Sequence, residues 1–162
     1  MNAEERRSPR QIGLWIEVTD AVRGLLLLGL GTSRFECILV PDYGGPATGH
    51  PGPTFTLDQW LAELRRLRAG ADRVLLPFNF SDQCTGWLRV APSREGLFEV
   101  QAGWSDLGQY DIDLSEFMVV GRSLADFEPV PNARIERPLD EIVGAVAAIR
   151  DALARCSPPA AR

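Results

Sequence analysis

The side chains in this chain best suited to chemistry are four carboxylates that crowd around Gly108, namely Asp106, Asp111, Asp113 and Glu116. Paired carboxylates are what glycoside hydrolysis uses, one protonated and one ionised across the scissile bond, but that reaction needs a cleft and a set separation that spacing alone does not supply. Trp87, Trp104 and Tyr110 lie near the same acids. Aromatic anchors ringed by negative charge match a surface that receives a basic protein. The competing reading is that the tryptophans alternate into a core and the acids solvate loops, since large aromatics are highly buried on average.

Only one histidine is present, His50, and it stands in the segment PDYGGPATGHPGP (41–53) together with Tyr43. It has no Cys, Asp or Glu at motif spacing, so neither a nucleophile-histidine pair nor a metal set is written into the sequence. Four glycines and four prolines make the segment a loop, and loops this long in compact domains either carry function or move. Tyr43 and His50 are therefore loop candidates, for a small-molecule-binding protein or enzyme with a pocket under residues 41–53. Cys84 falls in a polar corner beside Asp82 and lacks the cationic or histidine neighbour that a reactive thiolate needs, and Asp82 reads as a turn residue accepting from nearby backbone N–H groups. No residue is assigned a catalytic role, and no metal or cofactor is expected. These positions are read instead as partner-binding: Trp87, Trp104, Asp106, Tyr110 and Asp111.

The elements that must place them follow from hydrophobic periodicity. Leu76–Phe117 reads as consecutive antiparallel strands separated by a polar corner and a Pro-Ser-Arg-Glu-Gly turn. Ahead of it, a strand is expected over Ile12–Val18, then a hairpin of Leu25–Leu30, central and covered on both faces, with Arg34–Val40. Thr56 and Gln59 form a capping box that opens an amphipathic helix with Leu57, Trp60, Leu61, Leu64 and Leu67 on one face, ended by Gly70. Arg65, Arg66 and Arg68 lie off that face and read as a solvated surface. Leu114–Val120 fits strand and helix periods equally, and Ser123–Ala133 reads as a connector with an edge strand at Phe127–Val130. Behind Pro138, a stripe of Leu139, Ile142, Val143, Val146, Ile149 and Leu153 marks a terminal helix with acids in its first turn and arginines in its last. The expectation is an α+β fold, a largely antiparallel sheet of about six strands with two amphipathic helices packed on one face. Residues 1–10 are expected to be a disordered arm, 11–156 a single domain and 157–162 a disordered tail.

With 162 residues, 45% hydrophobic and 24% charged, the composition is that of a globular protein with one core. All 17 basic residues are arginine, against 22 acids, for a net charge of −5. The absence of lysine removes Schiff-base and P-loop chemistry, and with abundant Ala, Gly and Pro it points to a GC-rich, bacterial genome. An acidic protein disfavours nucleic acid as partner and favours a basic protein. Three cysteines outside any CxxC spacing fit reduced thiols in the cytoplasm. The N-terminal residues lack the apolar core of a signal peptide, and the greasy run Leu25–Leu30 is too short to span a bilayer, so no membrane is expected. A homodimer formed through the edge strand Phe35–Val40 is a further expectation.

The segments LPFNFSDQCTGWLRV and FEVQAGWSDLGQYDIDLSEF, within Leu76–Phe117, resemble a group of small actinobacterial proteins and the arrangement of small α+β immunity proteins of bacterial toxin systems. The likeness covers about a quarter of the chain. It implies a cytosolic protein that acts by binding, neutralising a toxin.

Overall fold

The computed structural model describes residues 7–21, 23–41, 52–112 and 117–156. The fold is α+β, with seven antiparallel strands in two sheets and helices packed against them. Strands β1 (Leu14–Asp20), β2 (Leu25–Leu30) and β3 (Ser33–Cys37) form the first sheet in that order. Strands β4 (Val74–Phe80), β5 (Thr85–Arg94), β6 (Leu97–Ser105) and β7 (Glu128–Arg137) form the second. Every neighbouring pair is antiparallel, as the short turns between most of them require.

The two sheets meet where the chain continues past β3. Ile38 forms a parallel bridge with Asn79, donating to the Phe78 carbonyl at 2.9 Å and accepting from the Phe80 amide at 3.1 Å. Asn79, buried, adds a side-chain bond from its amide nitrogen to the Glu36 carbonyl at 3.0 Å. At Ile38 the edge expected over Phe35–Val40 already meets β4 of the same chain. The strand covered on both faces is β4, buried at all seven residues, rather than β2, where Leu25 is exposed and Leu27 half-buried.

Four α-helices accompany the strands among the described residues: the two expected amphipathic ones and two short ones. Helix α1 (Pro9–Ile12) is a single turn opened by a capping box: Ser8 Oγ accepts from the Gln11 amide and Gln11 Oε1 from the Ser8 amide. It occupies the end of the expected arm and moves the first strand's start to Leu14. Gly13, at φ 91°, makes the sharp exit that a β-carbon would resist. Helix α2 (Pro53–Arg68) begins three residues before Thr56. Proline is at home at the first helical position, where its missing N–H is not needed. Thr56 is thus inside the helix and caps nothing at its start; its hydroxyl donates to the Leu39 carbonyl at 2.7 Å. Helix α3 (Phe117–Arg122) resolves the ambiguous stretch as helix over those residues, and α4 (Leu139–Cys156) matches its expected stripe.

Burial follows the sequence pattern closely in the long elements. Leu57, Trp60, Leu64 and Leu67 of α2 and Ile142, Val146 and Ile149 of α4 enter one core with the sheets. The Trp60 indole N–H finds the Pro77 carbonyl at 2.9 Å, so the largest apolar side chain of α2 also has its polar atom satisfied. Strand β7 runs further than the expected edge strand, through Arg137, despite Pro129 and Pro131. Its pairing with β6 jumps from Gln101↔Arg134 to Gly103↔Pro129, and Asn132 at φ 65° makes the bend. Gln101 fills the gap in the ladder: its amide nitrogen lies within 3.0 Å of the carbonyls of Ala102, Val130 and Ala133.

Candidate functional site

At the end of β6 the surface holds an open, shallow depression of about 520 Å³. Asp106, Leu107 and Asp111 line one side and Val120 with residues 123–126 the other. Two separate segments must therefore be held together to make it.

The first side is the loop after β6, including a 3-10 turn over Gln109–Asp111. A chain of hydrogen bonds fixes it from below: Trp87 Nε1 donates to Thr85 Oγ1 at 2.8 Å, and the Thr85 hydroxyl donates to the Leu107 carbonyl at 2.9 Å. The corner before β5 grips it from the side. Gln109 donates its backbone N–H to the Ser81 carbonyl at 2.9 Å and its side-chain amide to the Asp82 carboxylate. Asp82 is thus a long-range partner of Gln109, in place of the local turn contact its position implied. Gly108 sits so close to the Asp82 carbonyl that a β-carbon would lie far inside van der Waals contact with backbone. Gly108→Ala is expected to cost about 1–3 kcal/mol through forced separation of these two loops, read as a lower midpoint in urea denaturation; an unchanged midpoint would remove the clamp.

The second side is α3 and the connector after it. Gly121 lets α3 approach the Trp87 ring, where an added β-carbon would stand 3.1 Å from Cζ3 and 3.2 Å from the Leu75 carbonyl. Asp126 then ties connector to loop. Its Oδ1 accepts from the Ser105 hydroxyl at 2.7 Å and its Oδ2 from the Asp106 backbone N–H at 2.9 Å.

These bonds favour the ionised carboxylate. The Ser105 hydroxyl, then the Asp106 amide, hold the Asp126 carboxyl below the usual aspartate range. A carboxyl whose folded pKa is lowered contributes stability above its unfolded value, near about 3.9, and loses it as pH falls through the folded value. The tie is therefore complete at neutral pH and lost in acid below about pH 4. In an NMR titration the Asp106 backbone amide is expected to shift with a midpoint below that of an ordinary aspartate; an ordinary midpoint would show that the tie is not formed.

The residues singled out in the sequence divide sharply. Asp106 and Asp111 are exposed and line the depression, and neither carboxylate meets an arginine among the described residues. Tyr110 is 62% exposed between them in sequence, and Val119, 51% exposed, precedes the lining residue Val120. Trp87 is corrected: at 0% exposure it has no surface to offer, and it acts as the floor beneath both sides. Trp104 is half-buried and packs its ring edge-on against Phe78 and Phe35, at 5.7 and 6.5 Å between centroids. Tyr43, His50, Asp113 and Glu116 lie outside the described residues.

Asp126, Ser123 and Val119 are the residues that sequence reasoning missed. Val119 lies in the stretch Leu114–Val120 that fits strand and helix alike, Ser123 and Asp126 in the expected connector, and nothing in the local pattern shows that Asp126 bonds back across twenty positions to Asp106.

Cys37 is buried, and burial pushes its thiol well above the usual range; Cys84 is half-buried and Cys156 exposed. Among the described residues no group of three or more His, Cys, Asp or Glu side chains is placed to hold a metal ion, and no helix is long and apolar enough to cross a membrane. Comparison of the chain with protein-family models, with curated proteins and with solved structures gave no match.

Proposed function

We propose that this chain is a non-enzymatic cytosolic binding module, toxin-neutralising in the manner of immunity proteins, whose docking surface is the depression between the β6 loop and α3. One observation carries the reading. Three large apolar side chains are exposed among the described residues, and two of them, Tyr110 and Val119, immediately precede residues that line the depression, Asp111 and Val120; the acidic side chains there, Asp106 and Asp111, form no ion pair among the described residues. Apolar contact area beside uncompensated negative charge is what a protein partner with a basic protrusion would bury, the first supplying affinity and the second orientation and encounter rate. The depression is open and shallow, a shape that suits a protein surface better than an enclosed small molecule.

The partner is accordingly a protein with arginine or lysine at its contact face. Purification from the native host under mild salt, with a photo-crosslinker placed at Val119, is expected to recover a covalent complex with one basic protein. Recovery of the chain alone, or crosslinks spread over unrelated acidic proteins, would overturn the reading.

A further inference from the structure

Glu63 is the only acidic side chain almost wholly buried among the described residues, at 3% exposure, and it stands on α2, away from the depression in sequence. A carboxylate taken out of water persists where hydrogen bonds and opposite charge replace its hydration. Its two oxygens are served separately. Arg66 Nη1, within the same helix, reaches Oε2 at 2.7 Å, and Arg122 Nη2 reaches Oε1 at 2.7 Å. Arg122 is the last residue of α3, 59 positions away.

Helix α3 has six residues, too few to hold helical form without tertiary contacts. Helical spacing puts Met118, Gly121 and Arg122 on one face and Val119, Val120 and Ser123 on the other. The first face makes the contacts to the rest of the fold: Met118 is buried, Gly121 meets Trp87, and Arg122, its side chain 44% exposed, meets Glu63. The second lines the depression through Val120 and Ser123 and also holds the exposed Val119. Arg122 is also the only basic residue between Asp106 and Phe127. Paired with Glu63, it leaves Asp106 and Asp111 without a neutralising neighbour on their own segment.

We infer that Glu63 is a positioning residue for the docking surface: through Arg122 it fixes α3 in place and keeps the one local cation off the acidic side. This rests on the depression being the docking surface, but the latch itself is measurable with no partner present. Amide hydrogen exchange on the full chain reads it directly.

Arg122→Leu and Glu63→Gln are each expected to speed exchange over residues 118–124 by about tenfold or more, with β5 and β6 staying close to parent, because the opening is local. Arg66→Leu removes a bond to the same carboxylate from within α2 and is expected to leave exchange over 118–124 within about twofold of parent. The double variant Glu63→Gln with Arg122→Leu is expected to open α3 no further than the more open single variant, as two ends of one contact should. Parent-like exchange in Arg122→Leu, or equal opening in Arg66→Leu, would overturn the latch. Arg122→Leu leaves Glu63 paired with Arg66, so it remains decisive even where Glu63→Gln lowers stability throughout. A latch confirmed in this way alongside failure to find any basic partner would tell against the functional reading alone.

Discussion

Trp87→Ala is expected to destabilise the fold by about 3–5 kcal/mol, the range for emptying a fully buried aromatic site, and to disorder the depression before the rest of the sheet. The ring has no exposed surface, meets α3 at Gly121, and sends its indole N–H to Thr85, whose hydroxyl holds the Leu107 carbonyl. Truncation leaves a cavity, and it also removes the donor to Thr85 and the surface on which α3 rests. Denaturant unfolding gives the global loss. Trp87→Phe separates the two effects, since it keeps most of the ring volume and removes the N–H. It is expected to cost about 1 kcal/mol, the net worth of one hydrogen bond, with faster amide exchange at residues 107–111. A Trp87→Ala variant as stable as the parent would mean that the ring does not carry this part of the core.

Changing Asp106 and Asp111 together to asparagine is expected to slow association with the proposed basic partner about tenfold at low salt, within the range by which complementary charge raises on-rates. Both side chains are exposed and make no ion pair among the described residues, so folding stability should be almost unaffected. Exposed charges act over roughly 10 Å at 0.1 M salt. The parent's on-rate should therefore fall steeply as salt rises, the double variant's should fall less, and the off-rates should differ little. Stopped-flow measurement against the free protein that crosslinking identifies, across a salt series, checks this. Equal salt dependence for parent and variant would remove the carboxylates from recognition and leave Tyr110 and Val119 as the only basis for docking there.

Asp126 behaves differently from its two acidic neighbours although all three line the same depression. Both of its oxygens are already committed to Ser105 and Asp106, so its charge is part of the scaffold. Asparagine there should disturb the shape of the surface more than its attraction for a cation, because the amide offers one acceptor where the carboxylate offers two.

The long elements, and which of their faces are buried, are legible in the local residue pattern. Periodicity of 3.6 over α4 and of two over the central strands is a local property, repeated enough times to be read without tertiary knowledge. The α+β class, the end of α2 near Gly70, the α4 stripe and the exposed acids Asp106 and Asp111 all follow from such patterns. Signals confined to one turn were harder to use: the Ser8 to Gln11 capping box was present but stood in a charged, proline-containing stretch, and Thr56 to Gln59 formed a capping pattern that Pro53 made unnecessary.

Where the single contacts between distant residues fall is visible in the folded molecule alone. Alternation places Trp87 on one side of β5, but which side is closed by α3 depends on Gly121 arriving there. The bridge from Ile38 to β4, the bond from Asp126 back to Asp106, and the reach of Arg122 across 59 positions to Glu63 are each made once, with no repeat along the chain to announce them. A core is specified by many interchangeable apolar contacts, whereas a surface depression rests on a few polar ones whose partners become neighbours only after the chain has folded.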